Sequence, residues 1–147
     1  MPVSDYFAEL FVAGRFADMG WNVYFPHRDH GFDFIASKTV ESSCLVRPVQ
    51  VKGKYPEVGT TGRKLYGYSG SLTQVHPDMV LVIPYFSVTS EQPVCVAYIP
   101  FAKIKKKPDG KYRSAPAKLD SHGVPGPRQE YAQYFGLEGL RHLEGRG

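Results

Sequence analysis

Four polar side chains lie in apolar surroundings in the first third of the chain. Glu9 interrupts an apolar helical pattern, Asp33 lies between two phenylalanines, and Gln50 and Lys52 alternate with valines. Because alternate residues of a strand project from one face, Gln50 and Lys52 are expected side by side. Burying a carboxylate is costly unless a partner or a cation offsets its charge. The four side chains are therefore expected to converge.

These residue types suit a hard divalent cation, since Mg²⁺ prefers oxygen ligands from one or two carboxylates, water and phosphate. Asp33 can ligate directly, and the side-chain carbonyl of Gln50 supplies a neutral oxygen. Glu9 can ligate or hold a metal-bound water. Lys52 can stabilise charge on a phosphate or orient the attacking water. The predicted chemistry is metal-assisted hydrolysis of a phosphodiester.

Each residue also has an ordinary structural interpretation when it is taken alone. Glu9 fits the rim of an amphipathic helix, Asp33 fits a turn acceptor beside Gly31, and Lys52 fits a solvated strand lysine. The functional interpretation gains its weight from the four residues together.

The elements that must position these residues follow from periodicity and turn residues. Apolar spacing predicts a helix over 5–19, which Gly20 ends. Strands are expected over 21–25, 32–36, 45–53, 79–86 and 94–101, with polar turns over 27–31 and 37–43. Pro48 indicates a bulge or an edge position within the third strand. Short connections favour an antiparallel meander for the first three strands.

The remaining segments are less regular. Residues 54–78 are rich in Gly, Tyr and Ser and contain at most a weak helical turn over 71–76. Residues 103–128 form a basic hairpin or loop, and a final helix is expected over 128–143, weakened by Gly136 and Gly139. A single domain, 1–147, is expected, with a basic extension from about residue 103.

Charge is distributed unevenly along the chain. Residues 1–102 contain 8 Lys or Arg and 9 Asp or Glu, whereas residues 103–147 contain 10 and 5. This distribution favours contact with a polyanion near the C-terminal segment, although a solvated basic loop explains it equally well. The candidate nucleic-acid contacts are Arg28, His30, Lys54, Lys103, Lys105, Lys106 and Lys107. Tyr66, Tyr68 and Tyr112 could stack on unpaired bases, although tyrosines are also common packing residues.

Composition places the protein among globular intracellular domains. Apolar residues make up 42% and charged residues 22% of 147, which favours one folded domain over disorder. Cys44 and Cys95 are widely separated, so a reduced cytoplasmic setting is expected. The sequence shows no signal peptide and no apolar run long enough for a membrane helix.

The order of these motifs resembles the PD-(D/E)XK nuclease superfamily. Glu9 lies on the first helix, Trp21-Asn-Val follows, then Gly31-Phe-Asp-Phe-Ile, and finally Val49-Gln-Val-Lys. The similarity is greatest to members with a Gln-x-Lys third motif, near archaeal Holliday junction resolvases and restriction-endonuclease-like domains. It covers residues 5–55 well and residues 78–101 loosely.

The resemblance implies an α/β fold with an αβββαβ core, in which helices flank a mixed central sheet. It also implies cleavage of nucleic acid that depends on Mg²⁺ or Mn²⁺, with DNA expected as the substrate in preference to RNA. It implies catalytic positions at Glu9, Asp33, Gln50 and Lys52, with the first three as metal ligands, and it allows a homodimer. Gln50 replaces the usual acidic residue, and glycines weaken the helix expected after the third strand. The alternatives are an inactive nuclease-fold module that binds nucleic acid or protein, and a toxin- or immunity-associated domain.

Overall fold

Helix α1 forms over Val3–Asp18 in a computed structural model that describes residues 3–28, 31–58, 64–66, 72, 74–87 and 90–145. Its buried side chains recur at helical spacing: Ala8, Val12, Ala13 and Phe16. Gly20 follows with a φ of 91°, and its N–H donates to the carbonyl of Ala17. The left-handed conformation explains why glycine ends this helix. The predicted helix over 5–19 is confirmed, with a start two residues earlier.

A mixed five-stranded sheet forms the centre of the molecule, and the α/β class is therefore confirmed. The described strands are β1 (Asn22–Tyr24), β2 (Phe34–Val40), β3 (Ser43–Val51), β4 (Pro56–Val58), β5 (Lys64–Tyr66), β6 (Val80–Tyr85), β7 (Cys95–Pro100), β8 (Lys105–Lys106), β9 (Tyr112–Arg113), β10 (Ala117–Leu119) and β11 (Pro125–Pro127). The strand order in the sheet is β1-β2-β3-β6-β7. The first three strands form the predicted antiparallel meander, β3 and β6 run parallel, and β7 returns antiparallel.

The turn predicted over 37–43 is wrong, because β2 continues to Val40. The hairpin turn contains only Glu41 and Ser42, whose φ values are 48° and 70°. Positive φ at both central residues matches the twist of the flanking strands. The β-branched pair Thr39 and Val40 suits an extended strand, and this preference outweighs the polar character of the segment. Strand β2 also begins two residues later than predicted.

Pro48 lies inside β3, a strand with neighbours on both sides. It pairs with Ile35 of β2, whereas pairing with β6 starts only at Val49. Proline is tolerated here because the ladder on the β6 side has not yet begun. The edge position predicted for Pro48 is therefore correct locally, although β3 as a whole is central.

Each face of the sheet has its own apolar core. On the first face, the ring of Phe16 lies 5.6 Å from Trp21, 5.6 Å from Phe34 and 5.9 Å from Tyr98, always edge to face. Burial raises the pKa of Tyr98 to about 12, so its phenol stays neutral in this cluster. On the second face, buried side chains of β6 and β7 pack against the C-terminal part of the chain: Leu81, Ile83, Ala97, Ile99, Ile104, Ala117, Tyr131 and Tyr134.

The segment between β3 and β6 contains a hairpin where the resemblance implies a helix. Strands β4 and β5 pair antiparallel. The weak helical turn expected over 71–76 lies partly outside the described residues, and Leu72 and 74–76 are not helical. Within the part of the chain that the structure describes, no helix occurs between β3 and β6.

The basic segment folds into the predicted hairpin form, as two antiparallel pairs, β8–β9 and β10–β11. The final helix predicted over 128–143 is divided. A 3₁₀ helix spans Gln129–Tyr134, and α2 spans Gly136–His142. Gly136 has a φ of 65°, which breaks the helical path at this point. Among the described residues, no helix is long and apolar enough to cross a bilayer.

The close approach of α2 to the preceding 3₁₀ helix requires glycine at position 139. A Cβ there would lie 2.1 Å from the carbonyl oxygen of Tyr134, whereas a Cβ on Gly14 of α1 would meet nothing within 4 Å. Gly139→Ala is expected to lower the free energy of unfolding by about 1–3 kcal/mol through overpacking. Gly14→Ala, the control, is expected to raise it by about 0.5–1 kcal/mol. Urea unfolding measures both; equal effects would contradict the described packing.

Candidate functional site

The carboxylate of Asp33 is held at the start of β2 by donors from β3. Its Oδ2 accepts a hydrogen bond of 2.6 Å from the N–H of Val51 and one of 3.1 Å from Nε2 of Gln50. The N–H of Asp33 donates to the carbonyl of Val49 at 2.8 Å. The structure therefore brings together Asp33 and Gln50, two of the four predicted site residues, in direct contact.

Strand β3 carries a row of polar side chains on the second face of the sheet. Gln50 is in register with Leu81, and the pairing continues past the end of β3, since the N–H of Lys52 donates to Val82 at 3.0 Å. Lys54 forms a parallel bridge with Tyr85. Residues in parallel register share a face, so Gln50, Lys52 and Lys54 lie beside the apolar residues of β6. All three are half-buried, and we call them the polar row.

Glu9 belongs to the layer on the first face of the sheet. It lies on α1 next to Ala8, whose Cβ is 3.4 Å from the position of a Cβ on Gly53. Glu9 is half-buried near the end of β3, but it approaches from the helical side, whereas Gln50 and Lys52 project from the opposite face. A centre common to all four residues must therefore lie where β3 ends, not on either face alone.

The donor set fits a hard cation better than a closed transition-metal site. Across the described ranges, no group of three or more His, Cys, Asp or Glu side chains could hold a metal ion. Asp33 supplies carboxylate oxygens, Gln50 has an amide oxygen besides the Nε2 that donates to Asp33, and Glu9 offers a second carboxylate. Mg²⁺ is commonly held by one or two carboxylates together with water and substrate phosphates. Structural zinc requires four protein ligands.

The predicted nucleic-acid contacts occupy several places. Arg28 is exposed in the turn before β2, and His30 lies outside the described residues. Lys54 belongs to the polar row. The other four are exposed just after β7: Lys103, Lys105, Lys106 and Lys107. Strands β6 and β7 lie between this lysine group and β3, so the two regions are separate.

Three of these lysines lie beside aromatic side chains. Nζ of Lys106 lies 5.7 Å from the ring centre of Tyr112, a cation–π arrangement. Lys103 and Lys105 line a groove together with the acidic Glu130 and the buried Tyr131 and Tyr134. Positive charge beside aromatic rings is the pattern that binds single-stranded nucleic acid.

Gln74 is a neighbour of the site that sequence reasoning missed. Gly31, two residues before Asp33, has a φ of 101°, and a Cβ there would lie 2.1 Å from Oε1 of Gln74. The turn that leads into Asp33 is therefore packed against the segment that precedes β6. The only sequence signal for this contact was the glycine itself.

No protein-family model matches the chain, and no curated protein matches its sequence. The candidate function therefore depends on the geometry of Asp33, Gln50 and Lys52, together with the motif order in the sequence.

Replacing Gln50 by Glu tests whether this pair can hold a cation. The change places a second carboxylate at hydrogen-bonding distance from Asp33, which raises the pKa of one of the two carboxyls. A raised folded-state pKa means that stability falls as the pH rises and the second carboxyl ionises. At pH 8 in EDTA we expect a loss of about 1–3 kcal/mol.

Mn²⁺ should restore this stability more strongly in Gln50→Glu than it stabilises the natural protein, because the cation binds the folded state alone. Thermal unfolding with EDTA and with Mn²⁺ measures the difference. Gln129→Glu, at an exposed position of the 3₁₀ helix, is the matched control and should show no such recovery. An equal Mn²⁺ effect on all three proteins would argue against a cation site here.

Proposed function

We propose that this protein is a metal-dependent nuclease that hydrolyses phosphodiester bonds of nucleic acid, with DNA as the first substrate to test. The observation that carries the proposal is the contact between the Asp33 carboxylate and the Gln50 amide, with Lys52 next along the same face. An acidic ligand, a neutral oxygen ligand and a cationic side chain are what this reaction needs.

The topology supports the same proposal. A helix, a three-stranded meander and a fourth strand parallel to the third follow one another in the order that the resemblance to the PD-(D/E)XK superfamily implies. The hairpin β4–β5 occurs where that superfamily has a helix. The motif residues fall at the start of β2 and the end of β3, next to each other in the sheet.

Each residue then has a defined role. Asp33 and Gln50 hold the cation, with Glu9 contributing from the helical side. When bound, the cation supplies Lewis-acid activation of the phosphate and lowers the pKa of the attacking water. Lys52 stabilises the negative charge that develops on the phosphate. The hydrogen bond from Val51 fixes the Asp33 carboxylate in advance, whereas the Gln50 amide, which donates Nε2 to Asp33, turns to present its oxygen to the cation.

Charge on the second face of the sheet supports binding of a polyanion. Residues 101–128, which cover that face, contain eight Lys or Arg and two Asp, a net charge of +6. Helix α1, on the first face, contains three Asp or Glu and one Arg, a net charge of −2. The polar row lies on the positive side.

Substitutions at Asp33 and Lys52 test catalysis. Asp33→Asn keeps an oxygen that can accept the N–H of Val51, but it removes the charge. With Mg²⁺ or Mn²⁺, we expect Asp33→Asn and Lys52→Met each to cleave DNA about 100- to 1000-fold more slowly. A chelator should abolish cleavage by the natural protein. The measurement is cleavage of labelled DNA and RNA, both single- and double-stranded.

The matched control is Arg141→Gln, which removes one exposed charge from α2 and should leave the rate unchanged. Circular dichroism establishes that each variant is folded. Cleavage that persists in EDTA, or a folded Asp33→Asn protein with full activity, would refute the proposal.

A second candidate is a nuclease fold that binds nucleic acid without cleaving it. The hydrogen bond between Gln50 and Asp33 favours this alternative, because the amide already satisfies part of the carboxylate. Calorimetry with Mn²⁺ separates the two functions. If the protein is a nuclease, titration with Mn²⁺ should give a heat of binding that disappears in Asp33→Asn. A binding module should give no such heat of Mn²⁺ binding and should still bind DNA in a salt-dependent manner.

A further inference from the structure

Among the described residues, no strand pairs with the edge of the chain beyond β3 that faces Asp33. Lys52 and Lys54 donate their N–H groups to Val82 at 3.0 Å and to Pro84 at 2.9 Å, so this stretch is paired on the β6 side. On the other side, pairing with β2 goes no further than Phe34 with Val49. The edge from Val51 onward therefore faces Asp33 instead of another strand.

The backbone N–H of Gly53 points into this edge. Successive N–H groups of a strand point to opposite sides, and those of Lys52 and Lys54 point to β6. The N–H of Val51 points the other way and is taken by Asp33 at 2.6 Å. Gly53 therefore directs its N–H along the same edge, one step beyond the Asp33 carboxylate. Ala8 of α1 supports Gly53 from the first face.

The spacing of the two lysines suits a nucleic-acid strand. Lys52 and Lys54 project from one face and are separated by about 6.6 Å along the strand. This separation is comparable with that of successive phosphates in a polynucleotide. A backbone N–H between two lysines offers an anion both charge and a fixed hydrogen-bond donor.

We propose that Lys54 and the Gly53 N–H form a second phosphate subsite, adjacent to the phosphate that Asp33 and Lys52 act on. This inference rests on the proposed function for the position of the first phosphate. It adds that the enzyme holds two successive phosphates of one strand along the end of β3. A substrate with a single phosphodiester therefore lacks one of these contacts.

Nuclear magnetic resonance titration tests the subsite without relying on catalysis. Thymidine oligonucleotides with one, two and three phosphates are added to ¹⁵N-labelled protein in EDTA. In the natural protein, the second phosphate should strengthen binding and shift the amide signal of Gly53. Lys54→Gln should lose this gain in affinity and reduce the salt slope by about 0.7, the value for one contact to a single strand.

Two controls accompany this titration. Lys54→Arg keeps the charge and should retain the gain, and Arg141→Gln removes a charge elsewhere and should retain it as well. A gain that survives in Lys54→Gln, or a Gly53 amide signal that does not move, would overturn the subsite. If Lys54→Gln loses the gain in affinity but the natural protein never cleaves DNA, the nuclease function is refuted and the subsite stands. If the natural protein cleaves DNA but Lys54→Gln keeps the gain in affinity, the subsite is refuted and the nuclease function stands.

Discussion

The parallel pairing of β3 with β6 is the constraint on which the site depends. Two neighbouring parallel strands need a crossover that returns the chain to the opposite end of the sheet, which takes a dozen residues or more. Of the described residues in this return, Leu72 lies on the second face, where its N–H donates to the carbonyl of Tyr112. The crossover leaves the end of β3 next to Asp33 and brings Gln74 against Gly31. Topology thus determines what surrounds the polar row.

Within that frame, a single backbone donor sets the position of the acidic group. The N–H of Asp33 donates to the carbonyl of Val49, and the N–H of Val51 restrains its side chain. A carboxylate that accepts a backbone hydrogen bond keeps its orientation whether or not a cation is present. Gln50 adds a second contact from the same strand. The candidate site therefore lies at the ends of regular elements, with Gln50 inside β3, Asp33 just before β2 and Lys52 just after β3.

Periodicity in the sequence predicted the parts of the fold that depend on local burial. Helix α1 and strands β6 and β7 were readable because their apolar residues recur regularly. The turn of the β2–β3 hairpin was not predicted correctly. Glu41 and Ser42 have positive φ values, but glutamate and serine are not residue types that indicate such a turn. The sequence predicted that Gly136 weakens the final helix, but not that the helix is divided there. For the site, alternation predicted that Gln50 and Lys52 share a face, but only tertiary packing could place Glu9 on the opposite one.

The sheet also separates charge, with acidic α1 on one face and the basic segment on the other. Such a molecule has a permanent dipole, because α1 and the basic segment pack on opposite faces of the sheet, each about 10 Å from it. If the partner is a polyanion, as the proposed function requires, its field turns the protein before contact so that the lysine-rich side arrives first. Long-range steering of this kind raises the rate of productive collisions and weakens as the ionic strength rises. The arrangement of the two layers therefore affects the rate of association with such a partner, independently of the affinity of the complex.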